Sequence, residues 1–254
     1  MDGLQKIIGK FDENNLEILL DGKQFIYSPE FEKIKKTRWT ELRERVQKEK
    51  GKLWNGSVYR LSEITQSKKI SCLHLSLIGY KAHYATPWAS TLFTNRPFKD
   101  KPNGIFTSAY LLTSDNKLIF GKRQTKGVVT TAELSLIGGN LSPDDYKISS
   151  IKDVYRSFYK ELKEETNIGK ESIKQISGLG IYISDTQRVG IFLICNLLLP
   201  QKELQKIIIL NEEHKKLIFL TNQEVQKNLD NPKIHPNIKG TFNDYLDFAP
   251  SKID

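Results

Sequence analysis

The chain has 254 residues, with 39 Lys and Arg against 30 Asp and Glu and a formal net charge of +9. Ordinary apolar and charged fractions exclude a disordered chain, a fibre and a disulfide scaffold. No run approaches the roughly 18 apolar residues of a spanning helix.

That length holds one large domain, or one domain with a smaller companion. Cys72 and Cys195 lack metal-like spacing and suit a reducing, intracellular setting, so a cytoplasmic protein without a membrane partner is expected. Met1–Lys6 has no long apolar stretch behind it, and no signal peptide is expected. The positive charge suits an anionic partner such as a nucleotide, RNA or acidic lipid. It suits a lysine-rich proteome equally, because the lysines are scattered rather than blocked.

In chain order, 7–11 and 16–20 read as strands around the turn-like 12–15, which predicts a hairpin. Ser28-Pro29-Glu30 opens a helix with a cap, a first-turn proline and an acid near the positive end. Phe31, Ile34, Leu42 and Val46 give that helix a core stripe, and Gly51 is its stop signal. The segment 73–77 alternates as a strand. Prolines 87, 97 and 102 with Gly104 mark a boundary. It separates an N-terminal, strand-rich subdomain, 1–90, from a larger domain, 91–254.

Beyond it, 108–112 and 117–120 bracket Thr113–Asn116 as a second hairpin. Strand signals return at 180–183, 189–199 and 217–220, and a last helix is predicted over 238–246. The fold class is α+β, with a mixed sheet and helices on its faces.

The helix over 151–166 carries the most information. Ile151, Val154, Tyr155, Phe158 and Leu162 fall on one side. Asp153, Glu161 and Glu164 group on the neighbouring side, with Glu165 at the border. Like charges three or four residues apart on a helix repel by a few tenths of a kcal/mol, roughly. Lys160 and Lys163 offset part of this without explaining the clustering. A hard divalent cation explains it, because Mg2+ prefers carboxylate oxygens. An isolated E-L-K-E-E string is common on solvated helices, so context decides. Upstream lies Gly138-Gly139, where a double glycine permits positive φ and close backbone approach to a ligand.

These residues resemble the box of the Nudix hydrolases, G-x5-E-x7-R-E-U-x-E-E-x-G-U, with U a bulky aliphatic. Gly139 matches its first glycine and Lys160–Ile168 its second half. Lys160 stands for Arg and Asn167 for Gly. Gly139 to Lys160 spans 21 positions where the box spans 14, so the intervening loop is 7 residues longer. The family's middle Glu has no clean counterpart; Asp153 and Asp145 are the nearest acids.

Residues 75–81 with Thr86-Pro87-Trp88-Ala89, and 53–61, further resemble the UDP-glucose/UDP-galactose diphosphatase branch of that family. The resemblance covers most of 50–245. It implies an α/β/α sandwich and Mg2+-dependent (or Mn2+-dependent) cleavage of a nucleoside diphosphate linked to X. In that branch the products are UMP and a sugar 1-phosphate.

The resemblance implies Glu161, Glu164 and Glu165 as metal ligands and Gly139 as the backbone that closes on the metal or phosphate. Lys160 then orients the helix. Glu213 is a candidate general base, and Lys122 and Arg123 are candidate phosphate holders. Tyr80 and Trp88, or Tyr84, are candidate nucleobase platforms. His74, His83, His214 and His235 show no metal-like spacing and read as structural or surface residues. Substrates other than a nucleotide-sugar stay open: ADP-ribose, a dinucleotide, CoA or an mRNA cap. So does a degenerate domain that only binds nucleotide or RNA.

Overall fold

Alternation of period two and helical stripes of period 3.6 recur along the chain in a computed structural model, which describes residues 3–22, 25–48, 53–123 and 132–248. In order the elements are β1 (Leu4–Ile8), β2 (Leu16–Leu20), α1 (Pro29–Lys48), β3 (Ser57–Gln66), β4 (Ser71–Gly79) and α2 (Tyr80–Ala85). Next come β5 (Gly104–Leu112), β6 (Leu118–Arg123), β7 (Leu134–Ser135), α3 (Ile151–Thr166), β8 (Ile173–Ser184) and β9 (Arg188–Leu197). The last are α4 (Gln201–Ile207), β10 (His214–Leu220), α5 (Asn222–Asn228) and α6 (Pro236–Phe248). The fold is α+β, with parallel and antiparallel strand pairs.

The chain divides into two units. The first is Met1–Phe106, Asn140–Ser157 and Ile181–Gly190; the second is Thr107–Gly139, Phe158–Gly180 and Ile191–Asp254. The elements β5, α3, β8 and β9 each contribute residues to both.

In the first unit β4 lies between β2, parallel to it, and β3, antiparallel to it. Strand β1 pairs with the end of β8, from Leu4 opposite Ser184 to Ile8 opposite Ile181. The hairpin predicted for 7–11 and 16–20 therefore does not form. The turn at its centre does, with Asp12 and Asn15 side chains accepting nearby backbone N–H groups. The strands leave that turn for other partners: Leu16 and Ile18 are buried where β2 adds to β4. Burying alternate apolar residues of both strands against larger neighbours outweighs a two-stranded ribbon, which is marginal alone.

Helix α1 begins as its cap predicts, with the Ser28 hydroxyl accepting from Phe31 N–H at 3.3 Å. Phe31 packs edge-on to Phe93 and joins Ala82, Ala85 and Ala89 in a closed cluster. The stop predicted at Gly51 lies outside the described residues.

In the second unit β6 is bordered by β10, β5 and β7. The hairpin predicted around 113–116 is present, with Leu111 opposite Ile119 and Leu112 opposite Leu118. Asn116 takes the left-handed turn position at φ +58°. Tyr110 stacks on Tyr245 of α6 and bonds Thr241 through its hydroxyl. Phe158 and Leu162 of α3 are fully buried in this unit, and truncating a Phe so placed costs about 3–5 kcal/mol. Those two anchors fix which face of the last turns of α3 stays accessible.

A candidate cation site on helix α3

Glu161, Glu164 and Glu165 follow the anchors Phe158 and Leu162, so the helical repeat decides their depth. Glu165 is 2 % exposed, Glu161 is half-buried and Glu164 is exposed. Helix α3 stops at Asn167, whose φ of +62° is the left-handed conformation that ends helices. Its side-chain amide donates to Ile207 O at 2.8 Å. Asparagine thus serves where the resembled box has glycine.

The Gly138-Gly139 loop meets these acids. Gly138 has φ +153°, and a Cβ there would lie 2.8 Å from Ser108 Cα. Thr107 N–H donates to Gly139 O at 2.8 Å, which docks the loop on the β5 backbone. A Cβ on Gly139 would fall 2.5 Å from Glu161 Oε1, so this carboxylate occupies the space that a side chain at 139 would take. The backbone N–H of Gly138 donates to the Glu165 carboxylate. His214 Nε2 reaches Glu165 Oε2 from β10 at 2.8 Å.

Burial is the largest influence on both inner acids. It pushes Glu161 up to about 8, with Glu165 adding, Lys160 opposing, and Glu164 and Glu213 adding further. Burial also raises Glu165 well above the carboxylate range; Glu213 adds, while Arg123 and the Gly138 N–H oppose. His214 is pushed down to about 4 by burial and then by Arg123, against Glu213. The acids therefore sit in one field that is short of positive charge.

The donor chemistry fits a hard divalent cation: carboxylate oxygens, two of them partly or fully withdrawn from water. The side-chain positions are less complete. Among the described residues no group of three or more His, Cys, Asp or Glu could hold a metal ion as placed. Glu164 turns outward to Lys160 at 3.1 Å, and Glu165 Oε2 is engaged by His214. Lys160 thus pairs with an acid of its own helix.

The remaining candidates separate. Glu213 is exposed, and its charge acts on Glu161, Glu165 and His214. Arg123 is tied to Ser135 Oγ at 3.2 Å, and its charge acts on Glu165 and His214. Lys122, next along the strand, bonds Glu133 at 3.0 Å instead. Tyr80 and Trp88 belong to the first unit. There Tyr80 meets Trp54 and Trp39, while Trp88 meets Tyr84 under the Arg38 guanidinium. Asp153 is engaged at the start of α3, accepting from Ser149 N–H and from the Ser149 and Ser150 hydroxyls.

Of the two readings the sequence leaves for His214, structural or surface, the structural one holds: it is buried and bonded to Glu165. The usable signal was its place beside Glu213 at the start of a strand, where alternation turns one neighbour inward when the other faces out.

No protein-family model matches the chain, and no curated protein does. Among solved structures the chain is similar to a C. elegans Ap4A hydrolase in a binary complex, at 12% identity and TM-score 0.40, covering 56% of this chain and 96% of that one. It is similar to a MutT protein from Methanosarcina mazei Go1 at 17% identity and TM-score 0.38, covering 57% and 94%. A third is a bifunctional NMN adenylyltransferase/ADP ribose pyrophosphatase from Francisella tularensis, at 15% identity and TM-score 0.42, covering 64% and 45%. Likeness of this degree identifies neither family nor substrate.

Proposed function

We propose that this chain is a divalent-cation-dependent hydrolase of the Nudix type. It cleaves the pyrophosphate of a nucleoside diphosphate linked to X, with UDP-glucose or UDP-galactose as the favoured substrate and UMP plus sugar 1-phosphate as products. One observation carries the reading: Glu161 and Glu165, one turn apart on α3, meet the Gly138-Gly139 loop, with Glu164 and Glu213 in the same field. Mg2+ or Mn2+, when bound there, supplies the charge that neutralises phosphate oxygens.

The chain's own groups supply the rest. Glu161, Glu164 and Glu165 hold the cation. Gly139 lets the loop backbone approach without a side chain. Glu213, exposed and close in charge to the buried acids, takes the proton of the attacking water. Arg123, fixed by Ser135, offers a fork for a phosphate oxygen. Lys122 contributes less, because Glu133 already engages it. Tyr80 and Trp88, both in the first unit, are aromatic candidates for holding a base. The preference for a UDP-sugar rests on residues 53–61 and 75–89, in the first unit.

Incubation with UDP-glucose and Mg2+, followed by chromatography for UMP, tests the reading. Folded protein that releases no UMP removes the sugar assignment. ADP-ribose, a dinucleotide, CoA and capped RNA in the same assay then locate the substrate. A second reading, a domain that binds nucleotide or RNA without cleaving it, is favoured by the outward turn of Glu164 to Lys160. It predicts nucleotide binding without turnover of any member of the panel.

A further inference from the structure

The buried bond between Glu165 and His214 is a polar contact at the acids that the proposed chemistry leaves unused. Both side chains are nearly sealed, at 3% and 0% exposure, and 2.8 Å apart. The partners are 49 residues apart in sequence, so the fold and not the helix creates the contact. Space for the ring is built in: a Cβ on Gly121 would lie 2.5 Å from His214 Nδ1. Glycine on β6 therefore leaves room for the imidazole from the paired strand β10. Among the described residues Nδ1 has no hydrogen-bond partner. A proton on Nδ1 would be a buried donor without an acceptor, so the proton belongs on Nε2, which then donates to the carboxylate.

We infer that His214 is the positioning residue of the cation site: with the Gly138 N–H it clamps the Glu165 carboxylate and so fixes the orientation in which that ligand would meet a cation. This rests on the proposed reading of the glutamates. A glutamate has three side-chain torsions, and a buried carboxylate held by only one donor can still rotate. Donors from two elements, the glycine loop and β10, remove that freedom once the carboxylate is ionised. Groups that orient ligands in this way typically change metal affinity by about 10–100-fold when removed.

The test is a titration of the cation-free full chain with Mn2+, read by the electron paramagnetic resonance of free Mn2+. Glu164→Gln, His214→Ala, His214→Gln and Gly121→Ala are compared with the unaltered chain, and melting curves confirm folding. His214→Ala is expected to weaken Mn2+ binding by about 10-fold or more. His214→Gln, whose amide can donate to the same oxygen, recovers most of the loss. Gly121→Ala, which displaces the ring, weakens binding in the same direction. Full affinity in folded His214→Ala overturns the inference, as does folded His214→Gln that binds no better than His214→Ala. If the unaltered chain binds no Mn2+, or Glu164→Gln leaves binding unchanged, the reading of the glutamates falls and the inference falls with it.

Discussion

The α-carbon of Gly139 faces the carboxylate of Glu161, which stands where a Cβ would be, while neighbouring Gly138 faces backbone. The two glycines are therefore not equivalent. Gly139→Ala meets only the far end of a flexible side chain, and Gly139 needs no positive φ. It is expected to leave the fold within about 1 kcal/mol of its original stability. Hydrolysis should fall by tenfold or more, because the displaced group is Glu161. Gly138→Ala forces φ +153° on a residue with a Cβ and drives that atom into Thr107 and Ser108 backbone. It should cost about 1–3 kcal/mol from backbone strain alone. Urea midpoints and turnover, measured on both variants, check the contrast; equal losses of stability would refute it.

Glu164 gives a cleaner separation of chemistry from folding. Its partner Lys160 is 34% exposed and Glu164 itself 53%, and an exposed pair of this kind contributes about 0.2–1 kcal/mol. Glu164→Gln should therefore melt within a few degrees of the unaltered chain. If Glu164 holds the cation, turnover should drop by roughly 100-fold or more. Retained turnover with a retained fold would place Glu164 on the solvated face that its ion pair to Lys160 describes.

How much of this could be read beforehand depends on sequence separation. Helix α3 was predicted over 151–166 and runs Ile151–Thr166, because its stripe and its anchors are local. The left-handed Asn167 and the β5–β6 hairpin were legible for the same reason. The pairing of β2 with β4 was not, since Leu16 finds Ser71 far along the chain while the intervening turn looks like a hairpin. Nor was the Glu165–His214 contact. Charge clustering on α3 announced that a site was there, but which strand supplies the partner depends on β10 pairing with β6, where His214 stands opposite Arg123. The side-chain direction of Lys122 and Arg123 also needed register: one bonds Glu133, the other Ser135.

His83 supplies a pH dependence remote in sequence from the glutamates. It is buried in the first unit, and burial holds its pKa well below 6.5, with the Arg188 charge adding and Asn140 opposing. A depressed histidine is neutral in the fold and takes up a proton on unfolding. Its contribution to stability is therefore complete above the unfolded value near 6.5 and is lost as pH falls below that value toward the folded one. The urea midpoint of the unaltered chain should decline from pH 7 to pH 5. In His83→Gln the decline should be shallower. Gly104→Ala, whose Cβ would lie 3.0 Å from His83 Cε1, should destabilise at every pH, because the ring has no room to retreat. Parallel profiles for His83→Gln and the unaltered chain would show that another group titrates.

Glu161 links cation and stability. Its value of about 8, raised first by burial and then by Glu165, lies far above that of a free carboxylate. The cation-free fold holds this proton more tightly than the unfolded chain does. Stability from this group is complete below about 4.5 and is lost as pH rises through about 8. At pH 8 the cation-free chain should thus melt lower than at pH 6, as far as Glu161 governs it. Adding Mg2+ at 100 times its dissociation constant should return about 2.7 kcal/mol, roughly 5–10 °C for a chain of this size. Glu161→Gln replaces the strained carboxylate by a neutral amide. It should melt higher than the unaltered chain at pH 8 without cation, respond less to Mg2+, and lose turnover. Those three results belong together only if the acids are held close for a cation. A variant that melts lower at pH 8 would mean that the Glu161 carboxylate supports the fold rather than straining it.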